Sequence, residues 1–201
     1  MHQVPRTLDA KARGALAVAI LLAAAPAALS AQDAVVLDGF WIGGGVGIGF
    51  GGVSCTVCSA SREDALAASV RLGTALGSRM LVGFEVNGWA RSEDEFDFRL
   101  GALSAVVFFY PSSRASGTWY IKTGIGAVAY EVSAVDEESI TARGASGQFE
   151  IGRSVGIGSK LVLSPFVNFI GSVGANLKSG NEVLTSASIT LLQFGVGLTY
   201  H

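Results

Sequence analysis

The last residues of the chain alternate strictly between two kinds of side chain, and this constrains the fold more than any other feature. One set of alternate positions is mainly apolar or aromatic: Thr190, Leu192, Phe194, Val196, Leu198 and Tyr200. The intervening positions are mainly small or polar: Leu191, Gln193, Gly195, Gly197, Thr199 and His201. Because side chains alternate across a strand, the pattern predicts a β-strand with one oily face and one small or polar face.

The same segment resembles the C-terminal insertion signal of bacterial outer-membrane β-barrels. The matching positions are Gln193, Gly195, Leu198 and Tyr200, which supply a polar residue, a glycine, an apolar residue and an aromatic residue. The resemblance implies recognition by the barrel-assembly machinery and a final strand that closes a barrel. The family usually ends on the aromatic residue, whereas His201 follows it here.

The N-terminus has the pattern of a secretory signal peptide. Three basic residues precede an apolar run over 15–29, and the small residues Ser30 and Ala31 follow it. A membrane anchor is the alternative, but the run is shorter than the ~20 residues of a spanning helix and contains Pro26. We therefore predict a signal peptide over 1–31, cleaved after Ala31, and one domain over 32–201.

Charge and hydropathy restrict what the remaining domain does. Without residues 1–31 the chain keeps 11 basic and 15 acidic residues and has no basic stripe, which argues against nucleic acid as a partner. After the signal peptide, no segment offers about 18 consecutive apolar residues for a spanning helix. A membrane signal must therefore be carried by alternating strands.

Eight alternating segments are present, and each is close to the ~9–11 residues that a tilted strand needs to cross a bilayer. They run over 39–50, 66–76, 80–89, 96–110, 118–130, 148–157, 161–169 and 190–200. The short connections are 77–79, 111–117 and 158–160; the long ones are 51–65, 131–147 and 171–185, and 90–95 is intermediate. Short periplasmic turns, longer external loops and periplasmic termini are typical of outer-membrane barrels. The chain is predicted to be all-β, an eight-stranded antiparallel up-and-down transmembrane β-barrel preceded by a signal peptide.

Lipid-facing aromatic residues are predicted at both ends of the barrel, where these rings favour the membrane interface. Those at the periplasmic end are Phe40, Tyr110, Trp119 and Tyr200, and those at the external end are Phe50, Phe96, Phe98 and Phe149. This assignment places the even-numbered residues of the fourth segment on the lipid face. Arg153 also falls on the lipid face, and its depth in the membrane is left open.

Six charged residues are predicted to face the lumen: Arg71, Glu85, Asp97, Arg99, Lys122 and Glu150. One interpretation is a catalytic or ion-conducting array, and the other is an ion-pair network that plugs the lumen. Buried charges must be paired, and narrow barrels are filled by their side chains. These arguments favour the plug.

Little in the chain supports enzymatic or cofactor chemistry. Enzymes that resemble this architecture, such as lipid A deacylases, depend on an internal histidine as base, and the only histidines are His2 and His201. No catalytic residue and no cofactor are predicted, and the protein is not expected to be an enzyme.

The cysteines and the acidic segments each allow more than one interpretation. Cys55 and Cys58 are spaced as in redox motifs or half a zinc site, but zinc needs about four ligands, and an exported chain favours a local disulfide. Acidic runs at 63–64, 93–95 and 136–138 are either solvated loops or sites for divalent cations beside lipopolysaccharide phosphates. We predict a disulfide and no protein-built metal site.

Residues 39–200 resemble small outer-membrane barrels of the OmpA/OmpX-like and OmpW-like kind. The resemblance implies a location in the bacterial outer membrane and contact with its lipids and lipopolysaccharide. Three functions are compatible with it: a non-enzymatic structural or surface-interaction barrel, a narrow channel for small or hydrophobic solutes, and a lipid-modifying enzyme. The plugged lumen and the missing histidines favour the first.

Overall fold

Eight antiparallel strands form a closed barrel, in which each strand pairs with the next along the chain and the last pairs with the first. The computed structural model describes residues 39–55, 62–93, 96–112, 118–134, 139–157, 159–179 and 182–201. Its strands are β1 (Phe40–Cys55), β2 (Glu63–Ala75), β3 (Met80–Glu93), β4 (Phe96–Phe109), β5 (Thr118–Ala134), β6 (Ile140–Gly156), β7 (Leu161–Ser179) and β8 (Glu182–Tyr200). Nowhere in these ranges does a helix have the length and apolar character needed to span a membrane. The predicted eight-stranded antiparallel up-and-down barrel is confirmed.

The outer wall of the barrel is an apolar belt, because alternate residues of each strand point away from the lumen. Its large exposed side chains include Val46, Leu66, Phe84, Leu103, Ile125, Phe149 and Leu198. Along β5 the outward positions from Trp119 to Ala129 carry no charge, and Glu131 follows. At ~3.4 Å per residue and a tilt of ~40°, that stretch spans about 26 Å along the barrel axis. The apolar belt thus matches the ~25 Å band of outer-membrane barrels.

The two rims of the barrel differ in construction. We call the rim at Phe40 and Tyr200 the terminal end, and the opposite rim, where β5–β6 and β7–β8 turn, the hairpin end. The predicted long loops over 131–147 and 171–185 are wrong, because most of each segment is strand: β5 continues to Ala134, and β7 continues to Ser179. Backbone pairing continues past the apolar belt, since a ladder satisfies its own polar groups in water as well as in lipid.

Strand β4 faces the opposite way from the prediction. Leu100 and Phe108 are buried in the lumen, whereas Arg99 and Phe109 are exposed on the outer wall. The reason is that β4 carries large apolar side chains on both faces, so the polarity of its residues does not identify the inner face. Only pairing decides it: Leu100 lies opposite the buried Trp89 of β3.

The aromatic residues of the outer wall change accordingly. Phe40, Trp119 and Tyr200 are exposed at the terminal end, as predicted. Tyr110, predicted to face lipid, is instead buried in the lumen, and Phe98 is partly buried against the lumen core. The prediction is wrong for these two residues because it rested on the face assigned to β4.

The lumen is filled in layers. At the terminal end lies a cluster that we call the terminal plug, formed by Trp41, Leu81, Val106, Phe108, Tyr110 and Tyr120. Towards the hairpin end lies the hairpin plug, formed by Ala67, Trp89, Leu100, Ala102, Val128, Tyr130, Ala142, Ile170, Ala175, Ile189 and Leu191. Polar and charged side chains occupy the level between the two plugs. A narrow barrel closed by side chains in this way has no continuous open path.

The sequence features at the periphery have different outcomes. Arg153 lies opposite Trp119, beside the terminal end of β6, which places it close to an interface and not at the centre of the apolar belt. Cys55 is the last residue of β1, but Cys58 lies outside the described residues. The disulfide and the signal peptide over 1–31, which is likewise outside the described residues, stay predictions.

Candidate functional site

Two hairpins supply the charged layer of the lumen, and each brings one cation and one carboxylate. Arg71 on β2 lies directly opposite Glu85 on β3. Lys122 on β5 lies directly opposite Glu150 on β6. Since directly opposed residues of antiparallel strands share a face, both pairs point into the lumen. We call these four residues the charge cluster.

Lys122 is the centre of the charge cluster and is fully buried. Its Nζ donates to Glu85 Oε1 at 2.7 Å and Oε2 at 2.8 Å, so that it bridges from β5 to β3. The same ammonium donates to Oε2 of Glu150, its partner on β6. All three donors of the ammonium are therefore directed at carboxylate oxygens.

Arg71 completes the cluster from the opposite wall. Its Nη1 lies 3.5 Å from Glu150 Oε1 and 3.9 Å from Glu85 Oε2. Its Nη2 donates to Thr199 Oγ1 at 3.3 Å. A Cβ on Gly197 would lie 2.7 Å from Nη2, so the absence of a side chain at that position leaves room for the guanidinium. The cluster contains two cations and two carboxylates and carries no net charge.

Sequence reasoning missed three neighbours of the charge cluster. Tyr120 Oη donates to Glu150 Oε1 at 2.7 Å, and Asn87 Nδ2 donates to Glu85 Oε1 at 2.7 Å. The Phe108 ring lies beneath both cations, 5.2 Å from Arg71 Cζ and 5.8 Å from Lys122 Nζ. The alternation of β5 and β3 signals Tyr120 and Asn87 as inward-facing, whereas the ambiguous faces of β4 hide Phe108.

These contacts define what the charge cluster does chemically. Both carboxylates are engaged by cations and by neutral donors, and all four charged residues are almost completely excluded from solvent. Replacing a partner in such a buried group leaves an uncompensated charge, which is strongly destabilising. The arrangement therefore fits a structural tie between β2–β3 and β5–β6 better than a site that binds substrate.

The remaining predicted lumen charges lie elsewhere. Asp97 and Arg99 are on the outer wall near the hairpin end, where Arg99 Nη2 lies 3.8 Å from Asp97 Oδ2. The prediction that they face the lumen is wrong because β4 faces the other way.

The acidic residues at the hairpin end are held by a cation. Arg91 Nη1 lies 3.1 Å from Glu63 Oε2 and 3.7 Å from Asp64 Oδ1, and its Nη2 lies 2.8 Å from Glu93 Oε2. Hydrogen bonding to Glu93 is the main cause that raises the pKa of Arg91. No group of three potential metal ligands occurs in the described part of the chain. The rest of the predicted acidic runs, 94–95 and 136–138, lies outside it.

A neutral polar layer separates the charge cluster from the hairpin plug. Asn168 Nδ2 donates to Gln193 Oε1 at 2.7 Å. The side-chain amide of Gln148 and the Ser104 hydroxyl are buried and make no hydrogen bond to a protein group. Buried polar atoms of this kind are usually satisfied by ordered water, so this layer is the most polar part of the lumen after the charge cluster.

Substituting one inward glycine of β6 is expected to disturb the charge cluster. A Cβ on Gly152 would overlap the Tyr120 ring and hydroxyl, which donates to Glu150. Gly147, on the outward face of the same strand, has no atom within 4 Å of such a Cβ. We expect Gly152→Ala to lower the free energy of unfolding by about 1–3 kcal/mol through overpacking. Gly147→Ala, the control, should change it by no more than about 1 kcal/mol.

Urea unfolding of both variants in detergent or lipid, followed by tryptophan fluorescence, measures the difference. Equal stabilities for the two variants would contradict the position of Tyr120 against β6.

Comparison with known proteins extends the description of the fold. Neisserial surface protein A matches with a TM-score of 0.62 and 9% sequence identity, over 80% of this chain and 96% of that protein. Ail, the attachment invasion locus protein of Yersinia pestis, matches with a TM-score of 0.50 and 12% identity, over 81% and 99%. The outer membrane protein AlkL, solved in lipid bilayers, matches with a TM-score of 0.50 and 15% identity, over 85% and 94%. No protein-family profile and no curated sequence matches the chain.

Identities this low speak for the fold alone, and the agreement extends over nearly the full length of each matched protein. The closed strand order, the apolar belt and a lumen packed with side chains agree with that comparison. The chain has the fold of the small eight-stranded β-barrels of bacterial outer membranes.

Proposed function

We propose that this chain is an integral protein of the bacterial outer membrane, with a closed lumen and a non-enzymatic structural or surface-interaction role. The observation that carries the proposal is the layered lumen, in which the charge cluster lies between the terminal plug and the hairpin plug. A lumen filled in this way supports a rigid barrel, and the hairpin end is left to meet partners.

Surface presentation is supported by the strands that project past the apolar belt. β7 and β8 run over Leu161–Ser179 and Glu182–Tyr200, well beyond the ~9–11 residues needed to cross a bilayer. Rigid paired strands present side chains at a lower entropy cost than flexible loops do. One protein of the same fold, Ail, is named for attachment and invasion.

A narrow channel is the second candidate, and the neutral polar layer favours it. Gln148, Ser104 and Asn168 give the middle of the lumen polar groups that a passing solute would contact. Conduction would require both plugs to move, which the dense packing of their aromatic side chains opposes. For this reason we prefer the closed barrel.

A non-enzymatic role fits the state of the two lumen carboxylates. Glu85 and Glu150, the only acidic residues buried among the described ones, each accept hydrogen bonds from Lys122 and from a neutral donor. A general base must reach the proton that it abstracts, and these oxygens lie behind the plugs.

Assembly is proposed to depend on the C-terminal segment. In β8, Leu198 and Tyr200 lie on the apolar belt, and Gln193 and Thr199 face the lumen. The β1–β8 pairing that closes the barrel runs through this segment, with Tyr200 opposite Ile42. This arrangement supports recognition of the segment by the barrel-assembly machinery.

An epitope test checks orientation and surface presentation together. An epitope inserted in the 180–181 connection is expected to be detected on intact cells, because the hairpin end should face outwards. The same epitope at 77–78, in the connection between β2 and β3 at the terminal end, should be detected only after permeabilisation. Detection of the second and not the first on intact cells would reverse the proposed orientation and remove the surface role from the hairpin end.

A further inference from the structure

The outer wall carries a cluster of hydrogen-bond donors where β6 and β7 leave the apolar belt. Arg143 lies opposite Asn176, and Thr141 lies opposite Lys178. Arg143, Asn176 and Lys178 are exposed, and Thr141 is half-buried. We call these four residues the donor quartet; it lies outside the lumen and is independent of the function proposed above.

A β-bulge in β7 creates the donor quartet. Below the bulge the even-numbered Asn168 and Ile170 point into the lumen, whereas above it Ala175 is buried. The pairing of β7 with both neighbours shifts between these levels, and Gly174 has a φ of 65°, which favours glycine. A one-residue change reverses the faces of a strand. The bulge therefore turns Asn176 and Lys178 onto the outer wall.

The donor quartet is distinguished by its unneutralised charge. Its side chains are a guanidinium, an ammonium, an amide and a hydroxyl, and all of them donate hydrogen bonds. Neither Arg143 nor Lys178 forms an ion pair with another described residue, although Glu131 lies opposite Thr141. By contrast, Arg99 has Asp97 at 3.8 Å. An anion is the complement that this surface lacks.

The surface next to the donor quartet suits acyl chains. Val173, opposite Ala145, is 76% exposed. Phe149 and Phe169 are exposed and lie opposite each other further along the same two strands. A ligand with an anionic head and apolar chains would place its head on the donor quartet and its chains on these side chains.

We propose that the donor quartet binds a phosphate of lipid A, the anchor of lipopolysaccharide. A phosphate monoester carries a charge of about −1.5 to −2 near neutral pH, which complements two unpaired cations. The phosphodiester of phosphatidylglycerol carries one charge and leaves one cation unmatched. Arg143 provides the bidentate donor geometry that phosphate oxygens accept well, and Lys178 supplies the second positive charge.

The test uses the folded full-length barrel in detergent micelles and measures its affinity for lipid A. The double substitution Arg143→Gln and Lys178→Gln should weaken lipid A binding by roughly tenfold or more, because it removes two charge-assisted contacts. The control pairs Arg79→Gln, at the terminal end, with Arg99→Gln, which already has Asp97 as partner. This control removes the same charge and should bind lipid A as the unchanged protein does.

Two further comparisons identify the ligand chemistry. Dephosphorylated lipid A should bind the unchanged protein as weakly as lipid A binds the double variant. Phosphatidylglycerol should bind more weakly than lipid A and should lose less affinity in the double variant. Equal affinity for phosphatidylglycerol, or unchanged binding of dephosphorylated lipid A, would overturn the proposal.

A milder variant guards against loss of folding. Lys178→Gln alters one exposed side chain without a carboxylate partner among the described residues, so that folding should be unaffected. It should still weaken lipid A binding about threefold or more, in line with the loss of one charged contact at an exposed site. Full lipid A affinity in this variant would count against the donor quartet. Conduction by the lumen, which would overturn the function proposed above, has no bearing on this result.

Discussion

Lys122→Met is expected to lower the free energy of unfolding by about 3–5 kcal/mol, the cost typical of removing one partner from a buried ion-pair group. Lys122 is the group that joins Glu85 to Glu150, at 2.7 Å from Glu85 Oε1. Without it, the two carboxylates share only Arg71, whose Nη1 lies 3.5 Å from the nearer of them. The charge cluster would then carry a net negative charge in a lumen sealed from water.

Two further variants separate this cause from a general loss of packing. Arg99→Met removes a cation that is largely exposed on the outer wall and should alter stability by no more than about 0.5 kcal/mol. Adding Glu150→Gln to Lys122→Met restores a neutral cluster and should recover part of the lost stability. Urea unfolding followed by tryptophan fluorescence measures all three. A stability of Lys122→Met equal to that of Arg99→Met would exclude a structural role for the charge cluster.

Trp41→Ala is expected to have an effect of similar size, about 3–5 kcal/mol of lost stability, because it empties the centre of the terminal plug. Trp41 is 1% exposed, and its ring meets that of Phe108 edge to face at a centroid distance of 5.5 Å. Phe108 in turn lies beneath the cations of Arg71 and Lys122. Removing Trp41 therefore loosens the support of the charge cluster as well as the plug.

The matched control for this prediction is Trp119→Ala. Trp119 is 54% exposed on the outer wall at the same end of the barrel, so its loss leaves no internal cavity. Urea unfolding, followed by the fluorescence of the two remaining tryptophans in each variant, compares the two substitutions. If Trp119→Ala costs as much stability as Trp41→Ala, the terminal plug is not a packed core.

Much of the fold could be predicted from alternation, because small or polar residues and large apolar residues occupy opposite faces of most strands. In β8, for example, Gly197 and Thr199 face the lumen, and Leu198 and Tyr200 face outwards, as the sequence indicates. The faces of β4 could not be predicted from polarity. Val106 and Phe108 on one side are as apolar as Val107 and Phe109 on the other, and only the pairing with β3 and β5 distinguishes them.

The candidate site shows the same limit. Alternation alone placed Arg71, Glu85, Lys122 and Glu150 on inner faces, and the structure brings these four together. Their mutual contacts depend on register, which puts Lys122 opposite Glu150 and leaves it long enough to reach Glu85. Register also decides that the strands continue past the apolar belt, where the composition of 131–147 and 171–185 resembles that of loops.

Single-channel recording in planar bilayers tests the closed lumen most directly. The purified, folded protein should give no steady conductance, because the terminal plug, the charge cluster and the hairpin plug occupy successive levels of a narrow barrel. Folding would be verified in the same sample by a shift in gel mobility on boiling. A steady open current from that sample would contradict the closed lumen and establish the channel in its place.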